Sequence, residues 1–160
     1  MELYFDRIRT LGDLTLIKYW LEDPELLKMA RMRDNPLHPD EYQEYLDTLS
    51  FMVYVDSLAI GYVRIFKGKE PDEGELGLVI ALPEYRGVGL GTEIGFRLVD
   101  TAVKSGLTKL NWATADYNLP SIKLALKLGF KFHQLIPDVI IIEGKKYNAL
   151  IYRYEVGNAV

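Results

Sequence analysis

The sequence predicts one domain of mixed α and β structure, and three observations carry that reading. Apolar residues recur at three- and four-residue spacing in some segments and at every second position in others, so helices and strands are interleaved. Short Gly, Pro and Asp/Asn/Ser breaks separate the segments, with no internal repeat, linker or low-complexity run. With 160 residues, 49% of them apolar and 26% charged, the chain can bury one core and is short for two. A single domain over residues 1–160 is expected.

Leu3 to Arg9 alternates loosely, as a first strand does, and Gly12-Asp13 opens a helix carrying Leu14, Ile17 and Leu21. Asp23-Pro24 reads as an N-cap followed by a first-turn proline. The helix it opens carries Leu26, Leu27 and Ala30 until Asp34-Asn35-Pro36 stops it. Pro39-Asp40-Glu41 starts a third short helix through Tyr42, Tyr45, Leu46 and Leu49. The period then changes to two. Phe51 to Val55 and Ile60 to Phe66 form a hairpin about Asp56-Ser57, and a loop from Lys67 to Gly74 leads to a strand from Glu75 to Leu82. On that strand Leu76, Leu78, Ile80 and Leu82 share one face, while Glu75, Gly77, Val79 and Ala81 share a barer one. Small residues there allow close approach, by a ligand or by a packed helix.

Beyond Pro83, a run of glycines enters a helix that carries Ile94, Leu98, Val99 and Ala102 and closes at Gly106. Leu107 to Thr114 reads as a strand and Pro120 to Leu128 as a helix ended by Gly129. Phe130 to Ile142 and Tyr147 to Val156 are two β-rich runs joined at Glu143-Gly144, and their hairpin offers an edge for a homodimer.

Composition removes several function classes. Cysteine is absent, so there are no disulfides, thiolate metal sites or Cys nucleophiles, and the chain suits a reducing cytoplasm. The N-terminus has neither a basic start nor an apolar signal core, and no apolar stretch reaches a membrane span of about 18 residues. A soluble protein is expected. His38 and His133 are the only histidines and lack metal-ligand spacing, so no metal is expected. A net charge of −4 argues against nucleic acid as a partner. The charge is uneven: residues 1–50 hold eleven acids against six bases, while 83–133 hold seven bases against four acids. A cationic partner near the front and an anionic one near the middle would fit.

The anionic one has a place to bind. A strand running into a glycine-rich turn and then a helix gathers unpaired N–H groups and the positive end of the helix dipole at one spot. No Gly-Lys-Ser/Thr occurs, which excludes a Walker loop. The dinucleotide fingerprint would need glycine at 92 or 94, where Thr92 and Ile94 stand. What remains is Arg86-Gly-Val-Gly-Leu-Gly91. It resembles the coenzyme A pyrophosphate loop, [RQ]-x-x-G-x-[GA], of the GNAT superfamily of N-acetyltransferases. Downstream, Asn118-Leu-Pro-Ser121, with Lys127-Leu-Gly129-Phe130, is similar to that superfamily's second signature. The resemblance runs well from Phe51 to Phe132, and the front helices fit by placement.

The resemblance implies a GNAT-like α+β fold, with a mixed, mostly antiparallel sheet of about seven strands flanked by helices. It implies acetyl-CoA as acyl donor. Val79 and Ala81, with Ile80 between them, would lend main-chain hydrogen bonds to the pantetheine arm. Arg86, Gly87, Val88, Gly89, Leu90, Gly91 and Thr92 would wrap the pyrophosphate, and Asn118 and Ser121 would border the cofactor. Ordinary strand packing also accounts for Val79 and Ala81, and an N-cap role for Asn118.

Acetyl transfer needs a neutral amine, which for a lysine-like group of pKa about 10.4 is rare at pH 7. A base therefore helps. Glu75, on the bare face, is the candidate, acting directly or through a water; a solvated residue at a strand entrance is the alternative. A strand amide near Val79 would meet the oxyanion. In many relatives a tyrosine seven residues after the asparagine protonates the leaving thiolate, but Ala125 stands here, so no acid is assigned. Without cysteine, transfer is expected to be direct, with no acyl-enzyme. The expected acceptor is a primary amine of a small molecule or protein. The acidic front suits a cation: a basic protein terminus, a polyamine or an aminoglycoside. Leu16 to Leu27 looks like the opening of the branch holding ribosomal-protein and aminoglycoside acetyltransferases. The alternative is a non-catalytic coenzyme A-binding sensor of the same fold.

Overall fold

The computed structural model describes residues 1–33, 35 and 37–157. Seven strands form one sheet in the order β1-β2-β3-β4-β5-β7-β6, and five α-helices flank it among the described residues. The strands are β1 (Leu3–Arg7), β2 (Leu49–Val55), β3 (Leu58–Lys67), β4 (Glu73–Ile80), β5 (Lys109–Ala115), β6 (Lys131–Ile142) and β7 (Lys145–Glu155). The helices are α1 (Leu11–Trp20), α2 (Pro24–Arg31), α3 (Tyr42–Asp47), α4 (Leu90–Lys104) and α5 (Leu119–Lys127). Every strand pair is antiparallel except β4 with β5.

The expected boundaries shift for local reasons. Helix α1 begins at Leu11, because Thr10 and Asp13 form a reciprocal capping box that fixes the start upstream of Gly12. Asp23 caps α2 as read, with Pro24 in its first turn. That helix ends at Arg31, followed by Met32 at φ 56°; Asp34 and Pro36 of the expected stop lie outside the described residues. Leu49 belongs to β2 rather than to α3, since Thr48 is already extended. Strands β3 and β4 each reach further into the expected loop, to Lys67 and from Glu73, because Gly68 donates to the Glu73 carbonyl at 2.8 Å. The sheet's edge strand β6 accommodates Pro137 by a register shift between Ile136 and Ile140.

The alternation read on β4 is what separates two cores. Leu76 joins α4, α5 and the lower sheet around Ile94, Leu98, Leu110 and Phe130. On the opposite face Ala81 and Val79 pack with α1, α2 and α3 around Ile17, Leu27, Tyr45 and Tyr62. One glycine is required by close approach: a Cβ on Gly61 would lie 2.0 Å from the Val79 carbonyl oxygen. Beside it, Ala81 and Leu82 both donate to the Ile60 carbonyl, at 2.7 and 3.3 Å. This two-against-one pattern is that of a β-bulge, and it ends the strand just before the glycine turn.

Candidate active site

Strands β4 and β5 run side by side for three residue pairs only, from Glu73 with Lys109 to Glu75 with Asn111. Past that point they part. A buried clamp holds the vertex: Asn111 donates to Glu73 Oε2 at 2.7 Å, and Arg153 on β7 reaches Asn111 Oδ1 at 2.9 Å and Glu73 at 3.2 Å. The opened fork is the floor of a cleft of about 1210 Å³ that runs from the glycine turn, between β4 and α5, to Glu75 and the wall made by α2 and α3.

At the turn, Gly87 has φ 71° and Gly89 φ 87°, and the space where either would carry a Cβ is open. Their glycine identity therefore serves backbone conformation, in the left-handed region that L-residues pay to enter. Gly89 is the N-cap of α4 and no side chain caps that helix, so its first amides face outward unpaired. Arg86 braces the turn: Nε donates to the Ile80 carbonyl at 2.8 Å and Nη2 to the Ala81 carbonyl at 3.0 Å. From the opposite bank Lys123 and Lys127, one turn apart on α5, line the same cleft. These features fit a diphosphate.

Main-chain directions along β4 correct one expectation. In an antiparallel pair, successive residues turn their N–H and C=O alternately toward and away from the partner. Glu73 accepts from Gly68 and Ala81 donates to Ile60, so the odd-numbered residues, Val79 included, turn theirs to β3. The main-chain groups of Val79 and the Ala81 N–H are thus turned to β3, and the Ala81 carbonyl is taken by Arg86. Leu78 and Ile80 face the open fork instead, and the Ile80 carbonyl is taken by Arg86.

Asn118 lines the cleft, and its carbonyl oxygen accepts from the Ser121 amide at 3.3 Å, which makes it the N-cap of α5. The Ser121 hydroxyl accepts from Trp112 Nε1 at 3.0 Å. Gly91 and Thr92 line the cleft too, whereas Leu90 is buried in the core beneath and Val88 points outward, 64% exposed. Ala125 is wholly buried and offers nothing to the cleft. Tyr117 donates its hydroxyl to the Lys28 carbonyl at 2.7 Å and its pKa is pushed up to about 12, first by burial and then by Tyr147 and Asp116. It ties α2 to the β5–α5 corner rather than protonating a leaving group.

Glu75 stands on the cleft floor, and burial alone raises its carboxyl above the ordinary glutamate value. A carboxylate whose proton is held more tightly is a better base for an ammonium. Across from Gly77, Arg64 is buried with its guanidinium 3.6 Å from the Tyr45 ring centroid and 4.2 Å from that of Phe66. Among the described residues no group of three His, Asp or Glu side chains could hold a metal ion. Nor is any helix long and apolar enough to cross a membrane.

The model of the acetyltransferase (GNAT) family matches residues 15–130. The chain belongs to that family. Its match takes in the second half of α1 and all of α2 and α3 as well as the two signatures, so most of the front helices, assigned from sequence by placement, fall within the family pattern. Among curated relatives, alpha/beta-tubulin-N-acetyltransferase 9 is 39% identical over 79 residues in Mus musculus, 48% of this chain and 33% of that protein. The Homo sapiens form is 29% identical over 132 residues, 70% of this chain and 64% of that one. The chain thus spans between a third and two thirds of the relatives it matches. Two acetyltransferases are among the solved structures that share this fold. An acetyltransferase from Salmonella typhimurium with acetyl-CoA superposes with TM-score 0.79 at 19% identity, covering 98% of this chain and 94% of that one. Spermidine N-acetyltransferase from Vibrio cholerae, with CoA and spermine, gives 0.83 at 18%, covering 96% and 95%.

Within the GNAT frame, the structure brings Glu75, Val79, Ile80, Arg86, Asn118, Ser121 and the turn glycines to one cleft. It leaves Ala81, Val88 and Leu90 off the lining. Sequence reasoning missed Lys123 and Lys127, whose four-residue spacing opposite the apolar face of α5 was a usable signal. It also missed Arg31, Arg64, Tyr45 and Tyr62, which reach the cleft from distant segments and carry no local signature.

Proposed function

We propose that this GNAT chain transfers an acetyl group from acetyl-CoA directly to a primary amine of a small molecule or protein. The observation that carries the reading is the continuity of one cleft from the uncapped N-terminus of α4 to Glu75. The diphosphate would lie on the amides between Gly87 and Thr92, with Lys123 and Lys127 opposite. Leu78, facing the fork, supplies a main-chain donor where charge develops on the carbonyl oxygen. Glu75 takes the amine proton, directly or through a water, as the N–C bond forms and the S–C bond breaks. The thiolate, of pKa about 8.5, leaves without an assigned acid and takes its proton from solvent.

The acceptor end favours no single charge. Glu25, Glu41 and Glu44 face Arg31, Arg33 and Arg64, and Glu41 is held by Arg31 and, at 3.2 Å, by Arg33. An acceptor carrying both an amine and an oxygen suits this better than a polyamine. The exposed edge of β6, with Val139 and Ile141, supports the homodimer expected on the last hairpin.

Free thiol release from acetyl-CoA across an amine panel, with mass spectrometry for the added acetyl group, tests the reading. Binding of coenzyme A without turnover of any amine supports the sensor instead.

A further inference from the structure

Arg31 ends α2 on the wall of the cleft, with its side chain only 8% exposed. Its Nη2 is paired with Glu41, but Nη1 is shut from solvent and has no hydrogen-bond partner among the described residues. A charged donor left unmet in this way is costly, and an oxygen brought to it recovers that cost. The neighbours locate it. Arg31 and Tyr62 line the same cleft, and Tyr62 is the register partner of Val79 on β4. Glu75 and Val79 share one face of β4 with Gly77 midway between them. An amine above Gly77 lies about 6–7 Å along the strand from each. That spacing leaves room for a water toward Glu75, and Arg31 lines the same cleft. Gly77 has no side chain to fill this part of the strand face, where an added Cβ would meet Phe66 at 3.7 Å and Arg64 at 3.9 Å.

We infer that Arg31 is a specificity-determining residue: its Nη1 receives a carbonyl or carboxylate oxygen that the acceptor carries close to its amine. The inference rests on the transferase reading and narrows it to amines of the amino-acid or peptide-terminus kind, in preference to plain alkylamines and polyamines.

The test compares the wild-type chain and Arg31→Met on four acceptors: an amino acid, its amide, a short peptide with a free terminus, and spermidine. Acetylation is followed by mass spectrometry with KM for each acceptor and for acetyl-CoA. In the wild type, the three oxygen-bearing acceptors are favoured over spermidine in kcat/KM. Arg31→Met raises their KM by about 10- to 100-fold, the scale of one charged hydrogen bond. The KM for spermidine and for acetyl-CoA stays unchanged. The amino acid against its amide tells a carboxylate from a carbonyl, and both agree with the inference. Equal use of spermidine by the wild type overturns it, as does an equal loss for all four acceptors in the variant. The wild-type comparison stands even where Arg31→Met fails to fold. If no acceptor turns over, calorimetry on the wild-type chain loaded with coenzyme A decides separately. Tighter binding of the peptide than of spermidine upholds Arg31 while the transferase reading falls, and indifference overturns both.

Discussion

Glu75 and Asn111 are the last residues at which β4 and β5 lie side by side, and the carboxyl proposed as base sits at the vertex of the fork that admits the donor. Placing it there is the work of Asn111, whose amide joins Glu73 to Arg153 across three strands. Asn111→Leu should cost about 1–3 kcal/mol, because it leaves buried Glu73 and half-buried Arg153 each short of a hydrogen bond. Urea unfolding measures the loss, and a rise in KM for acetyl-CoA shows whether the fork has moved with it.

Glu75→Gln should lower kcat/KM by about 10²- to 10⁴-fold. Because burial raises the Glu75 carboxyl, the acidic limb of the wild-type pH profile should lie above the ordinary glutamate value of 4.5, with activity rising as pH rises through it. The variant should lose that limb.

The same shift has a stability consequence of opposite sense. The folded chain holds the Glu75 proton more tightly than the unfolded chain does. Its contribution is therefore complete below about pH 4.5 and lost as pH climbs through the raised value. Glu75→Gln should melt higher than wild type at pH 7, and the gap should close in acid. Thermal melts across that range check it.

Two glycines of the turn, two residues apart, should behave differently. Gly89→Ala forces a side chain to φ 87° and should cost about 1–2 kcal/mol and raise KM for acetyl-CoA. At Gly91 an added Cβ meets Leu124 at 3.7 Å and Ile80 at 3.9 Å, ordinary contact with two cleft-lining side chains, so Gly91→Ala should leave stability near wild type while raising KM for acetyl-CoA.

Arg86→Lys should cost about 1 kcal/mol and raise KM for acetyl-CoA with little change in kcat. A single ammonium cannot reproduce the fork that spans the Ile80 and Ala81 carbonyls. Initial-rate kinetics at varied acetyl-CoA separates this from a loss of chemistry.

What the sequence determined is local. Alternation placed Glu75, Gly77, Val79 and Ala81 on one face of β4. The spacing of glycines marked a turn feeding a helix N-terminus, and Asp23 and Asn118 announced the helices they cap. Each follows from residues within a few positions, where backbone preference and periodicity act directly. What only the tertiary structure decided depends on register between distant segments. The bond to Gly68 and that to Ile60 set which β4 residues turn to β3, and so point the Leu78 main chain, rather than that of Val79, toward the fork. The burial that raises Glu75, and the unmet Nη1 of Arg31, arise where α2, β3 and β4 meet. Hydrogen-bond parity and desolvation are properties of neighbours that are remote in sequence, so no window along the chain contains them.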